Sequence, residues 1–120
     1  MTTQEVADKF DQLAQSNQWE KIQDELYADD AESIEPPNAE MSGLKNVKGR
    51  EALKQKAKDF NSMVEEMYGG FCSKPVIGGN YFSLAMGMDA KFKDMERMNM
   101  DEICVYEVKD GKIVKEQFFY

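Results

Sequence analysis

Apolar side chains recur every three or four residues through the first half of the chain and every second residue through the last third, a pattern that predicts helices followed by a sheet. Thr2 and Glu5 form a capping-box pair at the start of a first helix, which runs to about Ser16 with Val6, Phe10 and Leu13 on one face. Asn17 followed by Glu20 repeats the start signal. Trp19, Ile22 and Leu26 then give the buried face of a shorter second helix that ends near Ala28. Asp29-Asp30 closes it, and Ala31 to Glu35 reads as a short strand before Pro36-Pro37, which forbids continuation of a central ladder. Asn38 to Lys48 has no periodicity and reads as a loop. Gly49 precedes a third helix, with Leu53, Ala57, Phe60, Val64 and Met67 on one face and Gly69-Gly70 as its stop.

From there the period switches to two. Phe71 to Ile77 is a strand, Gly78-Gly79-Asn80 a turn, Tyr81 to Asp89 a longer strand and Met95 to Val108 another. Lys109-Asp110-Gly111-Lys112 carries an Asp-Gly hairpin signal, and Ile113 to Tyr120 is the returning strand. No linker or repeat interrupts the order, so residues 1–120 read as one α+β domain whose sheet curls around a pocket. On the Met95 to Val108 strand, Met98, Met100, Glu102, Cys104, Tyr106 and Val108 share one face, while Ile103 and Val105 share the other. Both sets contain apolar residues, so alternation alone does not choose which faces inward.

Charge and composition narrow the chemistry. With 15 Lys+Arg against 23 Asp+Glu the net charge is -8, and the basic residues are scattered, so a phosphate backbone would be repelled and nucleic acid is not an expected partner. No apolar run approaches the roughly 20 residues that span a bilayer, so no membrane role is expected. The two cysteines, Cys72 and Cys104, fit no metal or redox spacing, and the start of the chain has no apolar leader; both thiols are read as reduced in a cytoplasmic protein. The absence of histidine removes the usual triads and His-based zinc sites and leaves acid-base work to Asp, Glu, Tyr, Lys or Cys. No metal and no cofactor is expected. Nine methionines are many for this length, and Met95-x-x-Met98-x-Met100 is a loose thioether spacing, but adaptable packing of a cavity or interface explains them better than Cu(I).

Leu26-Tyr-Ala-Asp-Asp-Ala31, Gly49-Arg-Glu-Ala-Leu53 and Val108-Lys-Asp-Gly-Lys-Ile-Val114, in that order and separation, resemble three recurring motifs of SnoaL-like domains in the NTF2-like superfamily. The resemblance covers nearly the whole chain. It implies a cone-shaped α+β barrel, with three N-terminal helices packed on a strongly curved, mainly antiparallel sheet. It also implies an internal cavity and a homodimer formed through the outer sheet face. The superfamily holds cyclases, isomerases, dehydratases, transport factors and proteins without assigned activity, so the fold does not fix the function.

In the ketosteroid isomerase branch a carboxylate base sits just after the Asp-Asp-Ala motif and before a proline, a place that Glu35 matches here. A glutamate desolvated in an apolar cavity could shuttle protons near neutral pH, whereas a solvated strand-end glutamate could not. That branch's two oxyanion donors fall at Phe10 and at or beside Cys104, neither of which can replace them, so a steroid isomerase is not expected. The cyclases are described with histidine or arginine helpers, and this chain has only Arg50 and Arg97. Asp29-Asp30 reads as structural. If the Met98 to Val108 face lines the cavity, Glu102 is a second candidate acid and Tyr106 a hydrogen-bond donor.

The candidate catalytic residues are therefore Glu35, Glu102 and Tyr106. The candidate ligand contacts are Phe10, Trp19, Phe60, Met98, Met100 and Cys104. The function expected first is binding of a small, largely apolar molecule in the cavity. One alternative is a lyase or isomerase with Glu35 as general base; another is a non-catalytic interaction module acting through its dimer or sheet surface.

Overall fold

The structure is a computed structural model and describes residues 1–42 and 44–120. Helices α1 (Thr3–Gln15) and α2 (Trp19–Leu26) are followed by β1 (Tyr27–Ile34), a 3-10 helix (Pro37–Ser42) and β2 (Val47–Lys48). Helix α3 (Arg50–Ser62) then leads into β3 (Val64–Cys72), β4 (Val76–Gly78), β5 (Tyr81–Phe92), β6 (Met98–Lys109) and β7 (Lys112–Phe119). The strands form one sheet in the order β2-β1-β7-β6-β5-β3, with β4 also on β5. Only the β1–β7 pairing is parallel among those in the sheet. Three helices packed on a curved, mainly antiparallel sheet that does not close make this an NTF2-like α+β cone.

The predicted capping box is present: Glu5 N–H donates to Thr2 Oγ1 at 3.1 Å, and Thr2 N–H to Glu5 Oε1 at 2.9 Å. The second start signal is not one. Asn17 has a left-handed φ of 56°, Gln18 N–H reaches back to the Leu13 carbonyl, and Asn17 N–H to that of Ala14. Asn17 thus closes α1 in a Schellman motif instead of capping α2, whose N-cap is Gln18 without a side-chain bond.

Asp29-Asp30 does not terminate a helix either. The chain turns extended at Tyr27, and a register shift between Tyr27 and Glu32 bulges both aspartates outward from β1, where Asp29 pairs with Arg50 at 2.8 Å. The expected loop from Asn38 to Lys48 contains most of the 3-10 helix and all of β2; its Gly43 lies outside the described residues.

The third helix stops at Ser62, seven residues short of the Gly69-Gly70 stop read from the pattern. Val64 and Met67 belong instead to β3, paired with β5 from Val64 opposite Phe92 to Cys72 opposite Met86. Two register shifts in that ladder break its alternation, which is why a helical period extended across it. The expected Phe71 to Ile77 strand is correspondingly split between the end of β3 and β4. The final hairpin matches its sequence signal: Asp110 and Gly111 both have positive φ, as a two-residue type I′ turn requires.

Cross-strand register decides which face is inward. Phe82 lies opposite Tyr106, Leu84 opposite Cys104, Met86 opposite Glu102, Met88 opposite Met100 and Ala90 opposite Met98. Phe82, Leu84, Cys104 and Tyr106 are buried in the cluster that also holds Val6, Phe10 and Leu13 of α1, Ile22 and Leu26 of α2 and Leu53 of α3. The Met98 to Val108 set therefore faces the concave side, with Ile103 and Val105 outside. Each fully buried aromatic or aliphatic side chain there contributes roughly 1.5–3 kcal/mol of transfer free energy.

Candidate functional site

Along the concave face the burial changes. The end under α1 and α2 is sealed: Phe10 packs edge-on against Phe82 at 5.5 Å and tilted against Tyr106 at 4.8 Å, and Tyr106 stacks on Phe82. Further along β5 and β6, Met86, Met88, Met98, Met100 and Glu102 are only half-buried, as are Phe118 on β7 and Phe60 on α3. This half-covered stretch of thioethers and rings is the candidate site.

Its polar edge is assembled from β1, α3 and β7. The parallel β1–β7 register sets Ser33 opposite Glu116. The buried Glu116 carboxylate accepts from the Ser33 hydroxyl at 2.6 Å and, through a short hydrogen bond, from the Tyr27 hydroxyl. Two residues on from Ser33, Glu35 is 5 % exposed at its side chain; its Oε1 accepts from the Tyr120 hydroxyl at 3.0 Å and its Oε2 from Lys56 Nζ at 3.2 Å. Lys56, 14 % exposed, also donates to Ser33 Oγ at 2.8 Å, and its ammonium lies 5.6 Å from the Phe118 ring centroid. Glu35 is thus neither a solvated strand end nor an unpaired base. It is the anionic half of a largely buried ion pair.

Glu102 is differently placed. The Cys104 thiol donates to its Oε1 at 3.6 Å, a weak bond. Burial pushes the Glu102 carboxyl up to about 7, with the negative charges of Glu35 and Glu116 pushing the same way and Lys56 and the thiol opposing. Burial also raises Glu116 above the ordinary carboxylate range, against the hydrogen bonds from Ser33 and Tyr27 and the charge of Lys56. Burial raises the Cys104 thiol and the Tyr106 hydroxyl in the same manner, so both stay protonated. Among the described residues no group of three or more Cys, Asp or Glu side chains is disposed to hold a metal ion.

The sequence candidates therefore divide. Glu35 and Glu102 lie on the concave side, where Met98 and Met100 share the face of Glu102 further along β6, while Phe10, Cys104 and Tyr106 form the closed floor; Phe60 packs instead on Phe92 at the end of β5, with ring centroids 5.4 Å apart. Trp19 does not join them: it is 39 % exposed, edge-on to Phe10 at 6.1 Å, and lines a surface groove with Asn17 and Asp24. The sequence pattern did not single out Ser33, Lys56 or Glu116. Lys56 had a readable signal, since it lies at i+3 from Leu53 and i−4 from Phe60, a cation inside an apolar stripe. Glu116 shares a face with Phe118, but alternation does not say that this face turns inward.

The NTF2-like cone defines the class. The SnoaL-like domain profile matches residues 1–120, and the chain belongs to the SnoaL-like domain family. A Mesorhizobium loti protein provisionally described as a SnoaL-like polyketide cyclase, with a carbohydrate phosphatase label beside it, is 34 % identical over 100 % of both chains, with a TM-score of 0.90. TerC, co-crystallised with polyporic acid, is 13 % identical, covering 98 % of this chain and 90 % of its own, with a TM-score of 0.76. A Catenulispora acidiphila protein of ketosteroid isomerase-like fold, in complex with trimethylamine, is 16 % identical over 82 % of this chain and 72 % of its own, with a TM-score of 0.63. Comparison with curated proteins gives no match.

Proposed function

We propose that the chain binds a small, largely apolar molecule against the half-buried methionines and Phe118 of its concave face, and that Glu102 exchanges a proton with it. The observation that carries this reading is the contrast between the two glutamates. Glu35 is held by Lys56 and Tyr120, whereas Glu102 has one weak thiol partner and ionises near 7, the range in which a carboxylate serves as both base and acid. The reaction class is proton abstraction next to a carbonyl, as in an isomerase or cyclase. Relatives of the fold that hold polyporic acid and trimethylamine support the binding half.

Incubation in deuterium oxide with a panel of flat cyclic ketones tests the chemistry. Wild-type protein should speed loss of the α-proton signal in NMR spectra, and Glu102→Gln should remove roughly a hundredfold or more of that acceleration, with Glu35→Gln less damaging. Exchange no faster than in buffer, or unaffected by Glu102→Gln, would remove the catalytic half.

The reading also includes a homodimer in the cytoplasm. Phe71, Ile103 and Phe119 are exposed on the outer sheet face around a groove of about 240 Å³ that Ala85, Met86, Asp101 and Glu102 also line, a surface suited to a second copy. Cys72 and Cys104 are free thiols, which fits a reducing compartment.

A further inference from the structure

Among the described residues Lys56 is the one cation in contact with a carboxylate of this site, and its surroundings fix where it points. An ammonium has three donors. Two are used, on Ser33 Oγ at 2.8 Å and Glu35 Oε2 at 3.2 Å, which leaves the third available among the described residues. Ser33 cannot turn away, because its own hydroxyl hydrogen goes to Glu116 Oε2 at 2.6 Å. The ammonium is held beside the Phe118 ring, and Phe118 lies opposite Cys104 in the ladder, one inward-facing position along β6 from Glu102.

We propose that Lys56 receives the oxyanion formed in the reaction: the substrate is an enolisable carbonyl compound, Glu102 takes its α-proton, and the third ammonium hydrogen of Lys56 holds the oxygen on which the charge collects. This rests on the reading of Glu102 as the base acting next to a carbonyl and adds the electrophile to it. In the step the C–H bond breaks, its electron pair forms the carbon–carbon double bond, and the carbonyl π pair moves onto oxygen. Glu102 becomes the neutral acid and later returns the proton to the same carbon or to a conjugated one. No oxidant or second reactant is consumed. The charge of the site is the same before and after the transfer, since one negative charge has moved from Glu102 to an oxygen beside a cation. Ser33 acts as a positioning residue by fixing Lys56, and Glu116 by fixing Ser33.

An anionic ligand copies the state after transfer, so it should bind with Glu102 protonated. The groups facing Glu102 are Glu35 at the end of β1, Glu116 on β7, Lys56 on α3 and Cys104 on its own strand; the two carboxylates among them also disfavour a further negative charge. The test uses 2-naphthoate as the anion and 2-acetylnaphthalene as its neutral counterpart, titrated from pH 5 to 9 by calorimetry or fluorescence. Wild-type affinity for 2-naphthoate should be level below about 7 and fall about tenfold per pH unit above it, while affinity for 2-acetylnaphthalene changes little. Lys56→Met should weaken 2-naphthoate about tenfold or more and leave 2-acetylnaphthalene within about twofold, and Lys56→Arg should restore most of the loss. Glu102→Gln should bind 2-naphthoate without the fall above 7.

A wild-type 2-naphthoate affinity that does not fall with pH overturns the proposal without any variant. So does a Lys56→Met protein that loses both probes equally or neither. In those cases binding on the concave face still stands; if neither probe binds wild-type protein, that reading and this one fall together.

Discussion

Glu102 and Glu35 differ in their neighbours and in how far they are covered. Both are glutamates on the same concave surface, but a lysine ammonium and a tyrosine hydroxyl reach the nearly buried Glu35, while the half-covered Glu102 meets a thiol. Burial makes its carboxyl bind protons more tightly folded, at about 7, than in an unfolded chain, where glutamate titrates near its ordinary value of 4.5. Between those values the native state holds more protons, so this group's contribution to stability is fully present below the unfolded value. It is lost as pH rises toward 7 and stays lost above. Glu102→Gln should accordingly stabilise the protein at pH 8 by about 1–3 kcal/mol and change little at pH 4. Urea denaturation at both pH values checks this; a variant less stable than wild type at pH 8 would contradict it. Motif position and strand alternation bring out Glu35 and Glu102 as candidates and favour Glu35. Their ranking by environment depends on Lys56 from α3 and Tyr120 beyond β7, contacts 21 and 85 residues distant from Glu35 that no local pattern encodes.

At the scale of elements, the stretch from Val64 to Cys72 shows what local reading misses. Val64 and Met67 continue the helical spacing of Leu53, Ala57 and Phe60, and the bulged ladder hides the strand period. Tertiary pairing with β5 overrides the local pattern, leaving Met67 53 % exposed. Gly69-Gly70 stops no helix; at Gly70 the missing side chain lets two strands approach, since a Cβ there would come within 2.9 Å of the Gly87 carbonyl oxygen of the facing strand. Gly70→Ala should therefore force β3 away from β5 and destabilise the protein by about 1–3 kcal/mol, measured as a lower urea midpoint. An unchanged midpoint would show that β3 shifts freely. Elements set by side chains near in sequence were legible: the Thr2–Glu5 box, the Asp110-Gly111 hairpin and the apolar face of α1 are all present in the fold. Asn17 shows the limit of such signals, since an asparagine serves equally at a helix start and in the left-handed turn that ends the preceding helix.

At the scale of the whole molecule, three short motifs in order were enough to place the chain in its superfamily, and the sheet has the expected curvature without closing. What they could not give was which face of β6 turns inward, because both faces carry apolar residues; that fact decides whether Glu102 meets a ligand or water. The molecule has two apolar surfaces on one sheet, the methionine-lined concave face and the outer face around Phe71, Ile103 and Phe119. The proposed function requires the small molecule to choose the first. NMR spectra of methyl-labelled methionine and isoleucine, recorded during titration with 2-acetylnaphthalene, distinguish the two directly. Binding on the concave face should shift the Met88, Met98 and Met100 methyl groups and leave Ile103 unmoved; shifts confined to Ile103, or none at any methionine, would contradict it.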